Sequence, residues 1–382
     1  MKKICFVTAF PLNLRWFMSN HMLRLAESYD VTAVADFSKE DLAGNWFPGV
    51  RLVPIPIERK INLKTDLSAL IALWRFFRSE HFDVVHSITP KGGLLAMTGA
   101  RFAGVPHRIH CFTGQVWVTR RGMGRVLLKI ADRIIASNAN HMLTDSVSQS
   151  QFLELEKIVS PGQVRVLGSG SISGVDLDQF QPNEEIRKNI RTKWGIPQTD
   201  CLFLFVGRLN RDKGMFDLSK AFAQLFLDHK NIWLAVVGLV EAGIDEEFDH
   251  TFGDSISHVC RIGYIANPAH AMAAADVLVL PSYREGFGNV VIEAAACAVP
   301  AIASRIYGLT DAIEENVTGL LHPPGDVAAL CDCMQRLCTD HTLRLKMGMA
   351  ARSRVQADFS KDTVTLALLD YYEGILFPEM SK

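Results

Sequence analysis

The chain has 382 residues, enough for two domains of ordinary size, and 48% of them are apolar against 21% charged. This balance supports packed cores and excludes disordered and fibrous proteins. The net charge of −1 conceals an asymmetry: residues 1–180 carry 21 Lys and Arg against 15 Asp and Glu, whereas residues 181–382 carry 19 against 26. The basic half is expected to face an anionic surface or substrate.

The first half alternates apolar strands with helical patterns. Residues 3–10 are interpreted as a buried strand rather than a signal peptide, because Pro11 and Arg15 break the apolar run. The predicted strands are residues 3–10, 30–36, 50–57, 83–88, 107–113 and 163–170, and the predicted helices include 17–28 and 67–79. Such alternation predicts a doubly wound parallel sheet.

The pattern restarts in the second half of the chain. The predicted strands are residues 201–207, 232–238, 259–264, 277–282 and 301–305. A polar, proline-containing stretch around 178–198 separates the two halves, which predicts domains over 1–180 and 181–358. Residues 359–382 contain a final helical pattern.

Eight cysteines are scattered through apolar segments, which is typical of reduced cytoplasmic proteins. Cys331, Cys333 and Cys338 lack a second pair at zinc spacing, so no metal site is expected there. No stretch of 18 apolar residues predicts a membrane-spanning helix.

The most informative segment runs from residue 277 to 300. It reads as a buried strand, a Gly-Phe-Gly turn and a helix, with Glu285 at the turn and Glu293 two turns into the helix. A helix that begins after a glycine turn offers free backbone N–H groups to a phosphate. A carboxylate further along the helix can accept hydrogen bonds from a sugar diol.

This segment resembles the E-x7-E signature of retaining family-4 glycosyltransferases. The loop FLFVGRLNRDKG at 203–214 resembles the GR-x4-K pattern of that family, and residues 84–93 and 164–180 are similar to its capsule, O-antigen and lipid-linked glycan subgroup. The resemblance implies the GT-B fold, in which two Rossmann-like domains face each other across a cleft that holds the site. It further implies that the C-terminal helix within residues 359–382 packs back on the N-terminal domain. It also implies that no metal or other cofactor is needed.

The resemblance implies a donor site in the second domain. Arg208 and Lys213 would stabilise the leaving diphosphate, Glu285 would contact the donor sugar or its phosphate, and Glu293 would bind the ribose. Backbone groups of the turn complete the candidate donor-binding set, which is Arg208, Lys213, Glu285, Gly286, Phe287, Gly288, Asn289 and Glu293.

The first domain supplies candidates for acceptor binding. They are Asn13 and Arg15 after the first strand, His86 and Lys91 in HSITPKGG, and Thr113 and Gly114 after the fifth strand. His110 is the candidate catalytic histidine, although the base is not securely assigned. His86 could equally be a core histidine, and Lys91 a solvated lysine.

Residues 115–133 contain five basic residues and one acid, interleaved with Trp117, Val118, Val126, Leu127, Leu128 and Ile130. This pattern predicts contact with an anionic membrane; the alternative is an ordinary helix with a solvated basic face. Nucleic-acid binding is not expected, because the positive charge is local and no known module is present.

The resemblance therefore implies a retaining hexosyltransferase. In the resembled subgroup the donor is mostly a UDP-sugar, often N-acetylated, and the acceptor is often a polyprenyl-diphosphate-linked saccharide, which implies a place at the inner face of the cytoplasmic membrane. Two alternatives remain: a nucleotide-sugar 2-epimerase of the same fold, and a non-catalytic subunit that binds nucleotide or lipid.

Overall fold

The computed structural model describes residues 1–58, 62–241 and 243–379. The chain divides into two compact units: unit 1 is Met1–Ser173 together with the chain from Lys361, and unit 2 is Gly174–Ser360. Each unit is built on one parallel sheet covered by helices. The predicted fold class of two Rossmann-like parallel α/β domains is confirmed.

Unit 1 contains a seven-stranded sheet. Its strands are β1 (Lys3–Val7), β2 (Asp30–Ala35), β3 (Arg51–Pro54), β4 (Val84–Ile88), β5 (His107–Phe112), β6 (His141–Thr144) and β7 (Val164–Val166). Their spatial order is β3-β2-β1-β4-β5-β6-β7, and all the described pairings are parallel. The order reverses between β1 and β4, so the loops that follow these two strands flank the switch point of the sheet.

The helices of unit 1 lie between these strands. They are α1 (Pro11–Asn13), α2 (Ser19–Ala26), α3 (Lys39–Ala43), α4 (Leu63–Glu80), α5 (Pro90–Ala103), α6 (Gly122–Asn138) and α7 (Val147–Leu155). A π-helical turn, Leu14–Met18, joins α1 to α2. Alternate residues of the strands feed two apolar cores, one on each face of the sheet.

Unit 2 contains a six-stranded sheet. Its strands are β8 (Cys201–Val206), β9 (Ile232–Val237), β10 (Val259–Gly263), β11 (Val277–Leu280), β12 (Ala301–Ser304) and β13 (Gly319–His322). Their order is β10-β9-β8-β11-β12-β13, so the switch point lies between β8 and β11.

The helices of unit 2 surround one continuous apolar core. They are α8 (Glu184–Trp194), α9 (Met215–Asp228), α10 (Asp245–His250), α11 (Ala269–Ala274), α12 (Asn289–Ala296), α13 (Leu309–Ala312), α14 (Val327–Thr339) and α15 (His341–Asp358). The guanidinium of Arg191 on α8 is fully buried and pairs with Asp276, whose carboxylate also accepts a 2.7 Å hydrogen bond from the backbone N–H of Leu202. This pair ties α8 to the edge of the sheet where β8 and β11 begin.

The last helix, α16 (Lys361–Leu376), belongs to unit 1. Its Tyr372 hydroxyl lies 2.8 Å from His86 Nδ1, and its Thr365 hydroxyl lies 2.8 Å from His21 Nδ1. Because Leu368, Tyr372 and Leu376 are buried in one of the two cores of unit 1, the helix covers one face of that sheet.

The observed elements differ from the predicted ones mainly at short strands. β6 and β13 have four residues each and are not predicted from the sequence. The strand predicted over 163–170 ends at Val166, because Gly168 and Gly170 adopt positive φ and turn the chain. The strand predicted over 50–57 ends at Pro54.

Candidate active site

The donor candidates of unit 2 flank its switch point. Arg208 and Lys213 follow the carboxyl end of β8, and Glu285 follows the carboxyl end of β11, which is the neighbouring strand. In open parallel sheets, ligands bind at this edge where the strand order reverses. The topology therefore brings together residues that are 72 positions or more apart in the sequence.

The two loops are fixed to each other by the backbone. Residues Arg211–Lys213 form a 3₁₀ turn that is capped by the Asn210 side chain, and the backbone N–H of Tyr283 donates a 2.8 Å hydrogen bond to the Asp212 carbonyl. Gly214 adopts φ +67°, and a Cβ there would lie 1.9 Å from the carbonyl oxygen of Pro281. Only glycine allows this approach, which sets the position of Lys213.

Lys213 and Glu285 form an ion pair at the centre of the site. Lys213 Nζ lies 2.5 Å from Glu285 Oε1, and the same oxygen accepts a 2.8 Å hydrogen bond from Ser282 Oγ. Both charged side chains are largely buried. Among the described residues no donor is bound to Glu285 Oε2, so this oxygen is open to a ligand hydroxyl.

Arg208 differs from Lys213 in its surroundings. It is exposed, and its guanidinium makes no hydrogen bond or ion pair within the described parts of the chain. A guanidinium that carries no internal partner can bind phosphate oxygens with two N–H groups at once.

The Gly-Phe-Gly turn seats the N-terminus of α12. Gly288 precedes the helix at φ +84°, and a Cβ at Gly308 would lie 2.1 Å from the carbonyl oxygen of Gly286. Phe287 is buried, with its ring 5.3 Å from that of Phe359. The turn is thus held by packing, and any ligand contact by Phe287 would involve its backbone.

Glu293 lies in the second turn of α12 and is half-buried among apolar neighbours. Within the described residues its carboxylate has no hydrogen-bond donor, and burial raises its pKa to about 7. A carboxylate in this setting gains stability from a ligand that donates hydrogen bonds. Asn289, at the first position of the helix, is half-buried.

Three residues around this site are not predicted from the sequence. Ser282 binds Glu285, the Arg284 guanidinium lies 3.3 Å from the Asp212 carboxylate, and the Tyr283 hydroxyl donates a 2.6 Å hydrogen bond to Asp217. Asp217 and burial raise the pKa of Tyr283 to about 12, so this tyrosine stays protonated. Their position immediately before Glu285 is the signal that could have indicated them.

The acceptor candidates of unit 1 lie around its own switch point. Asn13 Nδ2 lies 3.5 Å from the Thr8 hydroxyl, which lies 3.4 Å from that of Thr89. Thr89 precedes α5 with φ +71°, an uncommon conformation for a β-branched residue. The structure thus joins the end of β1 to the start of α5.

The charged candidates of this edge already have partners inside unit 1. Lys91 Nζ lies 2.5 Å from Asp66 Oδ1, and the Arg15 guanidinium stacks 5.0 Å above the Trp46 ring. Thr113 uses its backbone carbonyl to accept hydrogen bonds from Gln115 and Gln149, and Gly114 follows it, half-buried.

His86 and His110 lie on opposite faces of the sheet. The His110 ring is buried 2.8 Å from Ser87 Oγ, and a Cβ at Gly93 would lie 2.3 Å from its Cε1. His86 faces Tyr372, and its Nε2 has no partner within the described residues. Burial lowers the pKa of each imidazole to about 3, so both are neutral near pH 7.

The structure corrects one part of the 115–133 interpretation. Trp117 is only 1% exposed, its indole N–H donates a 2.7 Å hydrogen bond to Asp132, and its ring stacks on Phe152. It therefore belongs to the core of unit 1 and is no interfacial aromatic. The exposed apolar residues lie on α6 instead.

No group of three or more His, Cys, Asp or Glu suited to a metal ion occurs among residues 1–58, 62–241 and 243–379. In the same ranges no helix is long and apolar enough to cross a bilayer.

Comparisons with known proteins agree with this geometry. Residues 186–354 match the family model described as "Glycosyl transferases group 1", and residues 19–170 match "Glycosyl transferase 4-like domain". The chain is 30% identical over 325 residues, 84% of each protein, to the "Capsular polysaccharide biosynthesis glycosyltransferase CapM" of Staphylococcus aureus. The chain belongs to this glycosyltransferase family. It is therefore an enzyme of the hexosyltransferase class.

Other relatives extend the picture. This glycosyltransferase is 25% identical over 312 residues, 79% of its own length and 78% of the other's, to the Escherichia coli "UDP-Gal:alpha-D-GlcNAc-diphosphoundecaprenol alpha-1,3-galactosyltransferase". Its fold matches a sucrose-phosphate synthase from Thermosynechococcus elongatus (TM-score 0.80, 22% identity, 98% and 99% covered). It also matches Anabaena Alr3699/HepE in complex with UDP (TM-score 0.80, 16% identity, 98% and 100% covered).

Proposed function

We propose that this glycosyltransferase moves a sugar, of the N-acetylated hexosamine type, from a UDP-sugar to a polyprenyl-diphosphate-linked saccharide. The reaction keeps the anomeric configuration of the donor and serves the synthesis of bacterial surface polysaccharide such as capsule or O-antigen. The Escherichia coli relative is a galactosyltransferase that uses UDP-Gal and a GlcNAc-diphosphoundecaprenol acceptor, and the fold neighbour HepE binds UDP. The capsular relative supports the same biological role.

The observation that carries the proposal is the cluster of Lys213, Glu285 and Ser282 at the switch point of unit 2. Breaking the bond between the sugar and UDP leaves negative charge on the β-phosphate, and Lys213 is fixed at this site to stabilise it. Arg208 adds a second cation without an internal partner, and the N-terminus of α12 adds backbone donors.

The two glutamates divide the remaining contacts with the donor. Glu293, whose carboxylate accepts no hydrogen bond from the described residues, would accept hydrogen bonds from the hydroxyls of the ribose. Glu285 keeps one oxygen on Lys213 and Ser282 and offers the other to a hydroxyl of the donor sugar. In the transfer, the bond from the anomeric carbon to the diphosphate oxygen breaks, and a bond from the same carbon to the acceptor oxygen forms on the same face.

The acceptor proton passes to the departing phosphate in this scheme. His110 would not take it directly, because its ring is buried against Gly93 and neutral imidazole with a pKa of about 3 is a weak base. His110 would instead position the start of α5 and with it Lys91. Asn13, Arg15, Thr113 and Gly114 are the other proposed acceptor contacts, whereas His86 faces Tyr372 on the other side of the sheet. The excess positive charge of residues 1–180 favours an anionic lipid diphosphate on this unit.

The proposal places the enzyme in the cytoplasm, at the inner face of the cytoplasmic membrane, and needs no metal or other cofactor. The test is a release assay with UDP-, GDP- and ADP-sugars, each with and without a pool of polyprenyl-diphosphate saccharides and with a chelator present. UDP released only when both one donor and the lipid acceptor are present would support the transferase.

Each other outcome has a defined meaning. Release without any acceptor would indicate hydrolysis or 2-epimerisation, and no release from any pair would favour a non-catalytic subunit. Glu285→Ala, which should keep the fold, is expected to abolish the acceptor-dependent release, and a fully active variant would contradict the assignment.

A further inference from the structure

Helix α6 exposes apolar side chains on the face opposite to its buried one. Met123, Val126, Leu127, Ile130 and Ile134, hereafter the α6 stripe, are between 41% and 72% exposed. Their spacing of three and four residues places them within one arc of the helix of roughly 100°. The buried residues of α6, Asp132 and Ile135, lie on the other side.

This arrangement is not explained by the packing of unit 1. Asp132 binds Trp117 beneath the helix, and Ile135 belongs to the core of the unit. A helix that is apolar on both its buried and its exposed face leaves a contiguous apolar patch in contact with water, which is energetically unfavourable. Such a surface marks a contact with another apolar phase or partner.

The basic residues beside the α6 stripe indicate that its partner is anionic. Arg120 and Arg121 are exposed immediately before α6, and they make no side-chain hydrogen bond or ion pair with any described residue. Arg133 is exposed at the border of the stripe, and its guanidinium donates hydrogen bonds to the backbone carbonyls of Lys157 and Glu156 at 2.9 and 3.5 Å. Between residues 115 and 138 the only acid is Asp132, which is buried, so this segment adds no exposed acid beside the stripe.

Two other basic residues of α6 are already engaged. Arg125 and Lys129 pair with Glu156 at 3.0 and 2.6 Å and lie 5.3 Å from the Trp117 ring. They hold the helix in place from its inner side. The structure thus separates the basic residues that support α6 from those that remain for a partner.

We propose that the α6 stripe docks on an anionic lipid bilayer, with its apolar side chains in the headgroup boundary and with Arg120 and Arg121 on the lipid phosphates. An apolar face bordered by basic residues lies in the plane of such an interface. The role of this docking in catalysis rests on the proposed lipid-linked acceptor, whereas the docking itself rests only on unit 1.

The test is flotation of the full chain with vesicles of phosphatidylglycerol and phosphatidylcholine, compared with vesicles of phosphatidylcholine alone. We expect binding to the anionic vesicles only. Leu127→Glu with Ile130→Glu should lower the bound fraction at least about tenfold, because two charges enter the boundary. Arg120→Glu with Arg121→Glu should lower it by a similar factor.

Leu345→Glu on α15 is the matched control, since Leu345 is 55% exposed, close to the 59% of Leu127, and lies in unit 2. It should float as the unchanged chain does. Equal binding by the stripe variants, or no binding of the unchanged chain to anionic vesicles, would overturn the proposal. So would a dimer in sedimentation that dissociates on Leu127→Glu, because a second copy would then cover the stripe.

A second assay separates this proposal from the proposed function. With a short, water-soluble acceptor analogue, the Leu127→Glu, Ile130→Glu variant should turn over at the unchanged rate, and with acceptor in vesicles it should lose most of its rate. Vesicle binding without any transfer would refute the proposed function alone. Transfer without vesicle binding would refute the docking surface alone.

Discussion

The switch points of the two units have the same topology but very different side chains. In unit 2, Lys213 and Glu285 hold each other at the centre, while Arg208 and Glu293 have no described partner. In unit 1, Lys91 pairs with Asp66, Arg15 stacks on Trp46, and the histidines lie in the interior. The edge of unit 2 thus keeps polar groups available for a ligand. The edge of unit 1 uses most of its polar residues in contacts within the unit.

This contrast indicates a division of labour. A diphosphate donor carries concentrated charge, and a site fixed before binding stabilises the departing phosphate without reorganisation. An acceptor hydroxyl mainly needs to be held in the correct position. Its site can therefore consist of backbone groups and one cation, Lys91, that is paired with Asp66 in the free protein. The following substitutions test this division in order of expected effect.

The largest effect is expected for Lys213→Ala. It removes the cation that we propose stabilises the donor diphosphate, so kcat should fall roughly 10²- to 10³-fold, as for the loss of one preorganised donor. Turnover at saturating donor and the melting temperature are the measurements. Lys220→Ala, an exposed lysine on α9, is the control and should leave both unchanged. Equal losses in the two variants would remove Lys213 from the catalytic site.

A smaller effect is expected at the ion pair of unit 1. If Lys91 must leave Asp66 to bind the acceptor diphosphate, Lys91→Ala should raise the acceptor KM about tenfold, the value of a charge-assisted hydrogen bond. Asp66→Asn should lower the same KM, because it removes the carboxylate that attracts the lysine. The UDP-sugar KM should not change in either variant. An acceptor KM that rises in both variants would show that the pair has only a structural role.

The pH dependence of UDP binding tests Glu293. Burial raises its pKa to about 7, so the free site is mostly protonated below this pH and ionised above it. An ionised carboxylate accepts stronger hydrogen bonds from the ribose than a protonated one. UDP affinity should therefore rise by about fivefold as the pH rises through the pKa of Glu293. Calorimetric measurement of UDP affinity for the Glu293→Gln variant at each pH supplies the baseline, because the ionisation of UDP itself is then the remaining source of pH dependence. If the variant showed the same pH profile of UDP affinity as the unchanged chain, Glu293 would be excluded as a ligand of the ribose.

The smallest effect is expected for Tyr372→Phe. It removes the hydroxyl bound to His86 Nδ1 and leaves both ring nitrogens of this buried histidine without a side-chain partner. The free energy of unfolding should fall by about 1 kcal/mol, measured in urea, with unchanged turnover. A loss of turnover without a loss of stability would instead show that His86 acts in the reaction.

The sequence predicts the parallel α/β character of both units because their central strands are continuous apolar runs such as residues 201–206 and 277–280. The resemblance of the motifs also assigns the loops after β8 and β11 to one donor site. It does not predict β6 or β13, since His141 and Thr144 in the first and His322 in the second leave no continuous apolar run of four residues.

Long-range contacts explain the remaining differences. The sequence suggests Trp117 as an interfacial aromatic, but Asp132, which accepts its N–H, is 15 residues away on the buried side of α6. The partner of His86 is 286 residues away on α16. Such contacts depend on how elements pack, which local patterns do not encode, and they decide whether a polar residue is free for a ligand.

The central claim is tested most directly by isolating the product formed from a UDP-sugar and a polyprenyl-diphosphate saccharide. The account predicts one UDP for each lipid-linked saccharide extended by one sugar, with the anomeric configuration of the donor in the new linkage when examined by NMR. An inverted linkage, or UDP accompanied only by free sugar, would contradict it.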